Sequence, residues 1–119
     1  MIEEKRHGDV VVLSLKGNLL GEPETSKLRE AVYVLLKENK KQIVLDLRNV
    51  KVINSMGLGS LVASLVSMRK RGGDLSLSRL SDKVEAVIVI THLVKIFRIY
   101  DTVERAVEGF KFQNHHERS

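Results

Sequence analysis

Gln42-Ile43-Val44-Leu45-Asp46-Leu47 and, shortly after it, Val52-Ile53-Asn54-Ser55-Met56-Gly57-Leu58-Gly59 decide how this chain is to be read. Apart from Gln42 and Asp46, the first run is wholly aliphatic, as a central strand buried on both faces requires. The second leads into Gly57 to Arg71, where Leu58, Leu61, Val62, Leu65 and Met68 recur at helical spacing. Ser60, Ser64, Ser67 and Lys70 are expected on the opposite side of that helix. Gly72-Gly73 ends it, since glycine readily takes the left-handed conformation common at helix C-termini. A buried strand that feeds an amphipathic helix is half of a βαβ crossover, which predicts parallel pairing with the next strand.

Upstream, Asp9 to Lys16 carries Val10, Val11, Val12, Leu13 and Leu15, a strand that Gly17 ends. His7-Gly8-Asp9 has the composition of a tight turn and predicts that Ile2 to Arg6 pairs antiparallel to that strand. The sole proline, Pro23, fits the first turn of a helix whose apolar face is Leu28, Ala31, Val32, Leu35 and Leu36 and which ends near Asn39. Downstream, Leu75, Leu77 and Arg79 read as a strand with Ser76 and Ser78 on its other face. Ser81 or Asp82 caps a third helix through Ile90, Phe97 to Tyr100 forms a short strand, and Val103, Ala106, Val107 and Phe110 mark a fourth helix. The expected fold is α/β: a small mixed, mostly parallel β-sheet of about four or five strands, with helices packed mainly on one face and an edge of the sheet meeting water. Its core is expected to include Val12, Val44, Leu45, Leu61, Leu65 and Val87. Residues 1–110 are expected to form the single domain and 111–119 a polar, flexible tail.

With 119 residues the chain has room for one core, which can bury about two-thirds of the unfolded surface without disulfides or a structural metal. It has no cysteine, so thiolate metal sites and cysteine nucleophiles are excluded, and a reducing cytoplasm suits it. No signal peptide and no apolar run long enough for a membrane span is legible, so a soluble, cytoplasmic protein is expected. The net charge of +5 favours an acidic partner or weak association with anionic surfaces. Nucleic acid is discounted: aromatics make up 4%, no stacking platform is visible, and the charges are scattered except at Arg69-Lys70-Arg71. That triplet either suits the dipole at a helix C-terminus as a solvated end or serves as a docking patch. No histidine is paired by motif with a nucleophilic serine, no carboxylates bracket a cleft, and Gly-x-Ser-x-Gly is absent, so no enzyme is expected. His115-His116 lack a third ligand, and no metal or cofactor is expected.

The candidate site is the junction Asn54, Ser55, Met56, Gly57, Leu58 and Ser60. Loops at the carboxyl ends of parallel strands feed helix N-termini, whose first N–H groups are unpaired. Ser55 can be the helix N-cap, or it can be a hydroxyl at which an added phosphate is well accommodated, and the two readings are compatible. Gly57 and Gly59 either admit a partner closely or let Leu58 pack under the sheet. They form no phosphate loop, because the spacing and the lysine are missing. Asp46 is expected either to support the loop by bonding its backbone or to act as a structural cap.

Asn-Ser-Met-Gly-Leu-Gly after an Ile-Val-Leu-Asp-Leu strand resembles the signature of STAS domains. The likeness extends to the Gly-Gly break before Leu75-Ser76-Leu77 and to Leu93-Val94-Lys95-Ile96-Phe97 before the last helix, and covers the chain to about Phe110. Freestanding members of the family are anti-sigma-factor antagonists, cytoplasmic domains that capture an anti-sigma factor and free a sigma factor. The resemblance implies that the anti-sigma factor is a serine kinase acting on Ser55 and that a metal-dependent serine phosphatase reverses this; the chain itself is expected to be a monomer or weak dimer. Two positions depart from the family's pattern: Asn54 stands for the usual Asp, and Met56 for a frequent second Ser or Thr. The rival reading is a regulatory or lipid- or anion-transport complex subunit, because related domains serve in such assemblies without phosphorylation.

Overall fold

Val44 and Leu45 point to opposite faces of the same strand and are both fully buried, so the segment that holds them lies at the centre of a two-sided core. The computed structural model describes residues 1–118, with side chains through Lys111. In chain order the elements are β1 (Ile2–His7), β2 (Val10–Lys16), α1 (Glu24–Lys37), β3 (Gln42–Asn49), α2 (Ser55–Lys70), β4 (Asp74–Ser78), α3 (Asp82–Ile90), a 3-10 turn (Leu93–Lys95), β5 (Arg98–Tyr100) and α4 (Val103–Arg118). The five strands lie side by side in the order β1-β2-β3-β4-β5. β1 and β2 form an antiparallel hairpin that pairs Glu4 with Leu13 and turns at Gly8, whose φ is +64°. β2, β3, β4 and β5 are parallel, with Val12 opposite Val44 and Val44 opposite Ser76.

One face of the sheet carries Val11, Leu13, Ile43, Leu45, Leu75 and Leu77, packed against α1, α2 and α3 through Leu28, Val32, Leu61, Leu65, Val84 and Ile88. The other face offers Val10, Val12 and Val44 to Ala106, Val107 and Phe110 of α4. The expected mixed sheet with helices mainly on one face is therefore what the chain forms, and β1 is its wetted edge. α1 ends as its sequence indicates: Asn39 is left-handed at φ 62°, and the Lys40 N–H donates to Leu35 O at 2.9 Å.

Several local expectations need correction. Ser60 and Ser64 do not line the outer side of α2. They are buried, with hydroxyls that donate back to Gly57 O at 2.7 Å and Ser60 O at 2.8 Å, so the helix supplies their acceptors itself. Pro23 stands just before α1 rather than in its first turn. Val87 is half-buried, and α3 reaches the core through Val84 and Ile88. Arg79 leaves the strand in a left-handed conformation, φ 55°. The helical backbone of α4 runs to Arg118, and Ser119 lies outside the described residues.

Candidate functional site

The junction between β3 and α2 is built from two chain segments. Leu19 and Ile53 form a parallel bridge beyond the ends of β2 and β3. The Leu19 N–H donates to Val52 O at 3.1 Å, and Asn18 Oδ1 accepts from the N–H groups of Lys51 and Val52 at 3.2 and 3.0 Å. Asn54 closes the joint. Its N–H donates to Leu19 O at 3.3 Å, its Nδ2 donates to Leu20 O at 2.8 Å, and its Oδ1 accepts from the Gly57 N–H at 3.1 Å. A carboxylate at this position could cap the helix but could not donate to Leu20 O, and the amide does both.

The N-cap of α2 is thus Asn54, not Ser55. Asn54 has the extended backbone that a cap needs, whereas Ser55 is already the first helical residue. Released from capping, Ser55 is exposed in the first turn, where helix geometry leaves N–H groups unpaired, and no acidic side chain stands in that turn. Met56 is 54% exposed and Leu20 is 45% exposed, and Met56 Sδ lies over Gly21. Together they flank Ser55 with exposed apolar surface.

At Gly57 the close approach is made within the chain itself, to the Leu19 loop. A Cβ there would fall 2.2 Å from Leu19 O and 2.7 Å from Ile53 Cγ1, so the helix start can approach the Leu19 loop only without a side chain. Gly59 faces open space. Asn54, Ser55 and Met56 therefore reach the surface and Leu58 does so in part, while Gly57 and Ser60 are interior and offer a partner no side-chain contact. The loop Asn18 to Gly21 is the half of the site that the sequence reading missed; its one signal is a Leu-Leu pair enclosed by Gly17-Asn18 and Gly21.

Asp46 does not support this loop. By strand alternation it shares the α4 face with Val44, whereas α2 lies on the other face. There it accepts from Ser14 Oγ at 3.1 Å, from the Arg48 N–H at 3.2 Å and from Arg79 Nε at 2.9 Å, with a second bond from the Arg79 guanidinium. Burial pushes its carboxyl up, but the bonds from Arg79, Arg48 and Ser14 outweigh that and hold it below the usual carboxylate range. The pair ties β2, β3 and the turn after β4 together. Among the described residues no cluster of three His, Cys, Asp or Glu could hold a metal, and no helix is long and apolar enough to cross a membrane. The side chains of His115 and His116 lie outside the described residues.

Among relatives of known sequence, the chain is 38% identical over 73 residues to a Thermotoga maritima protein named "putative anti-sigma factor antagonist". That match spans 61% of this chain and 65% of the relative's length. It is 24% identical over 106 residues to an anti-sigma F factor antagonist of Paenibacillus polymyxa, covering 89% of this chain and 91% of that one. A crystal structure from Thermotoga maritima, bearing the same name as the first relative, superposes with a TM-score of 0.84 at 32% identity, over 91% of this chain and 92% of the other. The STAS domain model matches residues 1–106, and the chain belongs to the STAS domain family.

Proposed function

We propose that this protein is an anti-sigma-factor antagonist: a regulatory binding module, not an enzyme, that acts in the cytoplasm. It captures an anti-sigma factor that is also a serine kinase, and phosphorylation of Ser55 by that kinase releases it until a serine phosphatase restores the hydroxyl. The observation that carries this reading is the placement of Ser55: an exposed hydroxyl in the first turn of α2, freed from capping by Asn54 and flanked by exposed Leu20 and Met56. Asn54, Ser55, Met56 and Leu58 supply the contact surface, and Gly57 and Ser60 hold it in shape. The names of the relatives support the general role.

Two effects of a phosphate on Ser55 oppose each other. In the free protein the dianion meets unpaired N–H groups and the positive end of α2 with no carboxylate in the first turn, a gain of roughly 0.3–2 kcal/mol. Folding therefore survives. In the complex the same charge is pressed against a surface that accepted a small neutral hydroxyl, and burying it unpaired costs several kcal/mol. A penalty of about 3–4 kcal/mol weakens affinity several-hundred-fold. The test is a pull-down from native lysate with mass spectrometry of the partners and of Ser55, repeated with Ser55→Ala and Ser55→Asp. Ser55→Ala should keep its partner. Ser55→Asp should lose it while melting within a few degrees of the unmodified protein, and a Ser55→Asp protein that binds as tightly as wild type refutes the switch.

A further inference from the structure

The end of the sheet where the parallel strands begin lies opposite Ser55, and it gathers charge from three separate elements. Lys41 precedes β3, Arg69, Lys70 and Arg71 end α2, and Lys95 and Arg98 lead into β5. Contacts hold them together: the Asp74 N–H donates to Lys41 O at 2.9 Å, and Gly73 lies so close to Lys41 that a Cβ would fall 2.4 Å from its carbonyl oxygen. Arg69 donates to Ile96 O at 2.7 Å and to Asp74 at 3.2 Å, and Arg98 lies 3.9 Å from the same carboxylate. All six cations are exposed, and among the described residues the Asp74 carboxylate pairs with two of them, Arg69 and Arg98.

Aliphatic side chains stand out beside these charges. α3 runs back from the far end of the sheet, so its last residues and the 3-10 turn arrive at this same end. Ile90 is 75% exposed, Val89 52%, Val94 46% and Ile96 37%. The core does not need them, since Val84, Ile88 and Phe97 already fill it from this segment. A protruding apolar group beside clustered lysines and arginines suits a medium that takes apolar tips anywhere and presents diffuse negative charge. An acidic protein would need a pocket shaped for Ile90 and carboxylates placed opposite cations that sit on three different elements; a bilayer needs neither.

We infer that this pole is a docking surface for anionic phospholipid membranes, with Ile90 and Val94 entering the headgroup layer and the surrounding cations facing lipid phosphates. The α2 N-terminus points the other way, so the reading does not depend on the partner switch at Ser55. The test is co-sedimentation of the purified protein with phosphatidylcholine vesicles, with and without phosphatidylglycerol, at low and at physiological salt. Binding should require the anionic lipid and fall as salt rises. Each surface cation contributes about a fivefold factor in affinity, so Lys70→Ala with Arg71→Ala should weaken binding by roughly 25-fold. Ile90→Ser should weaken it about tenfold, and because that side chain is exposed, circular dichroism should show an unchanged fold. No sedimentation with anionic vesicles at low salt overturns the inference, as does binding indifferent to Lys70 and Arg71. Sedimentation that depends on the charges but not on Ile90 overturns the insertion. Preferential capture by polyglutamate overturns the membrane in favour of an acidic protein.

Discussion

Alanine placed at Gly57 and, separately, at Gly59 introduces one methyl group at neighbouring positions of the same helix with opposite expected effects. In an unhindered helix interior the change from glycine gains about 0.5–1 kcal/mol, because alanine loses less conformational freedom on folding. Gly59 meets that condition: nothing lies within 4 Å of an added Cβ. At Gly57 the same methyl would stand 2.2 Å from Leu19 O, 2.7 Å from Ile53 Cγ1 and 2.8 Å from Leu19 Cβ. Two of these atoms cannot swing aside, the carbonyl being backbone and Leu19 Cβ fixed to it, so the start of α2 or the Leu19 loop must move. Overpacking of this kind costs about 1–3 kcal/mol beyond the lost propensity gain. Urea unfolding followed by circular dichroism should place Gly59→Ala above wild type and Gly57→Ala at least about 1 kcal/mol below it. At roughly 4 °C per kcal/mol in a domain of this size, the two melting points should differ by several degrees. Displacement of the loop also strains the Asn54 bonds to Leu19 and Leu20, so Gly57→Ala should disturb the amide signals of residues 18–21 and Gly59→Ala should not. A Gly57→Ala protein as stable as Gly59→Ala, with loop signals in place, would refute the close approach on which the site geometry rests.

Leu61 is fully buried in the main core, and Leu61→Ala should cost about 2–5 kcal/mol in denaturant unfolding; a loss under about 0.5 kcal/mol would mean that α2 packs by another face. Because the Asp46 carboxyl titrates lower in the folded chain than when unfolded, its stabilisation is complete above the ordinary carboxylate value of 3.8 and is lost as pH falls through its lowered value. Asp46→Asn should therefore lower stability near neutral pH and flatten the acid limb of the stability profile. Arg79→Ala strands a buried carboxylate, but the guanidinium is 35% exposed, so water softens the loss to about 1–3 kcal/mol at pH 7.

What could be read from the sequence follows from what each signal reports. β3 was legible because five consecutive residues, Ile43 to Leu47, are buried, and only a covered central strand tolerates so continuous a run. The β1–β2 turn and the end of α1 were legible because Gly8 and Asn39 occupy left-handed positions that few residues accept. Ser60 and Ser64 misled because periodicity treats a hydroxyl as a mark of the wet side, and here each hydroxyl is satisfied by a carbonyl of its own helix. Asn54 and Ser55 are both good caps, and single-residue preference cannot rank them; the choice fell to Asn54 through Leu20 O, an acceptor distant in sequence. Arg79 was drawn into β4 by alternation, and its turn toward Asp46 is a long-range pairing that local pattern does not carry.

The strand order β1-β2-β3-β4-β5 runs from one edge of the sheet to the other without doubling back. In doubly wound sheets the order reverses at a switch point, two successive crossover helices go to opposite faces, and the crevice they leave at the strands' carboxyl ends is where small molecules lodge. Here each parallel crossover steps the same way, and α1, α2 and α3 fall in sequence on a single face. The topology therefore provides no parting of the helices at the end that bears Ser55. A frame of this kind recognises by what projects from it, and any enclosed chamber over the first turn of α2 has to be completed by the molecule that lies against it.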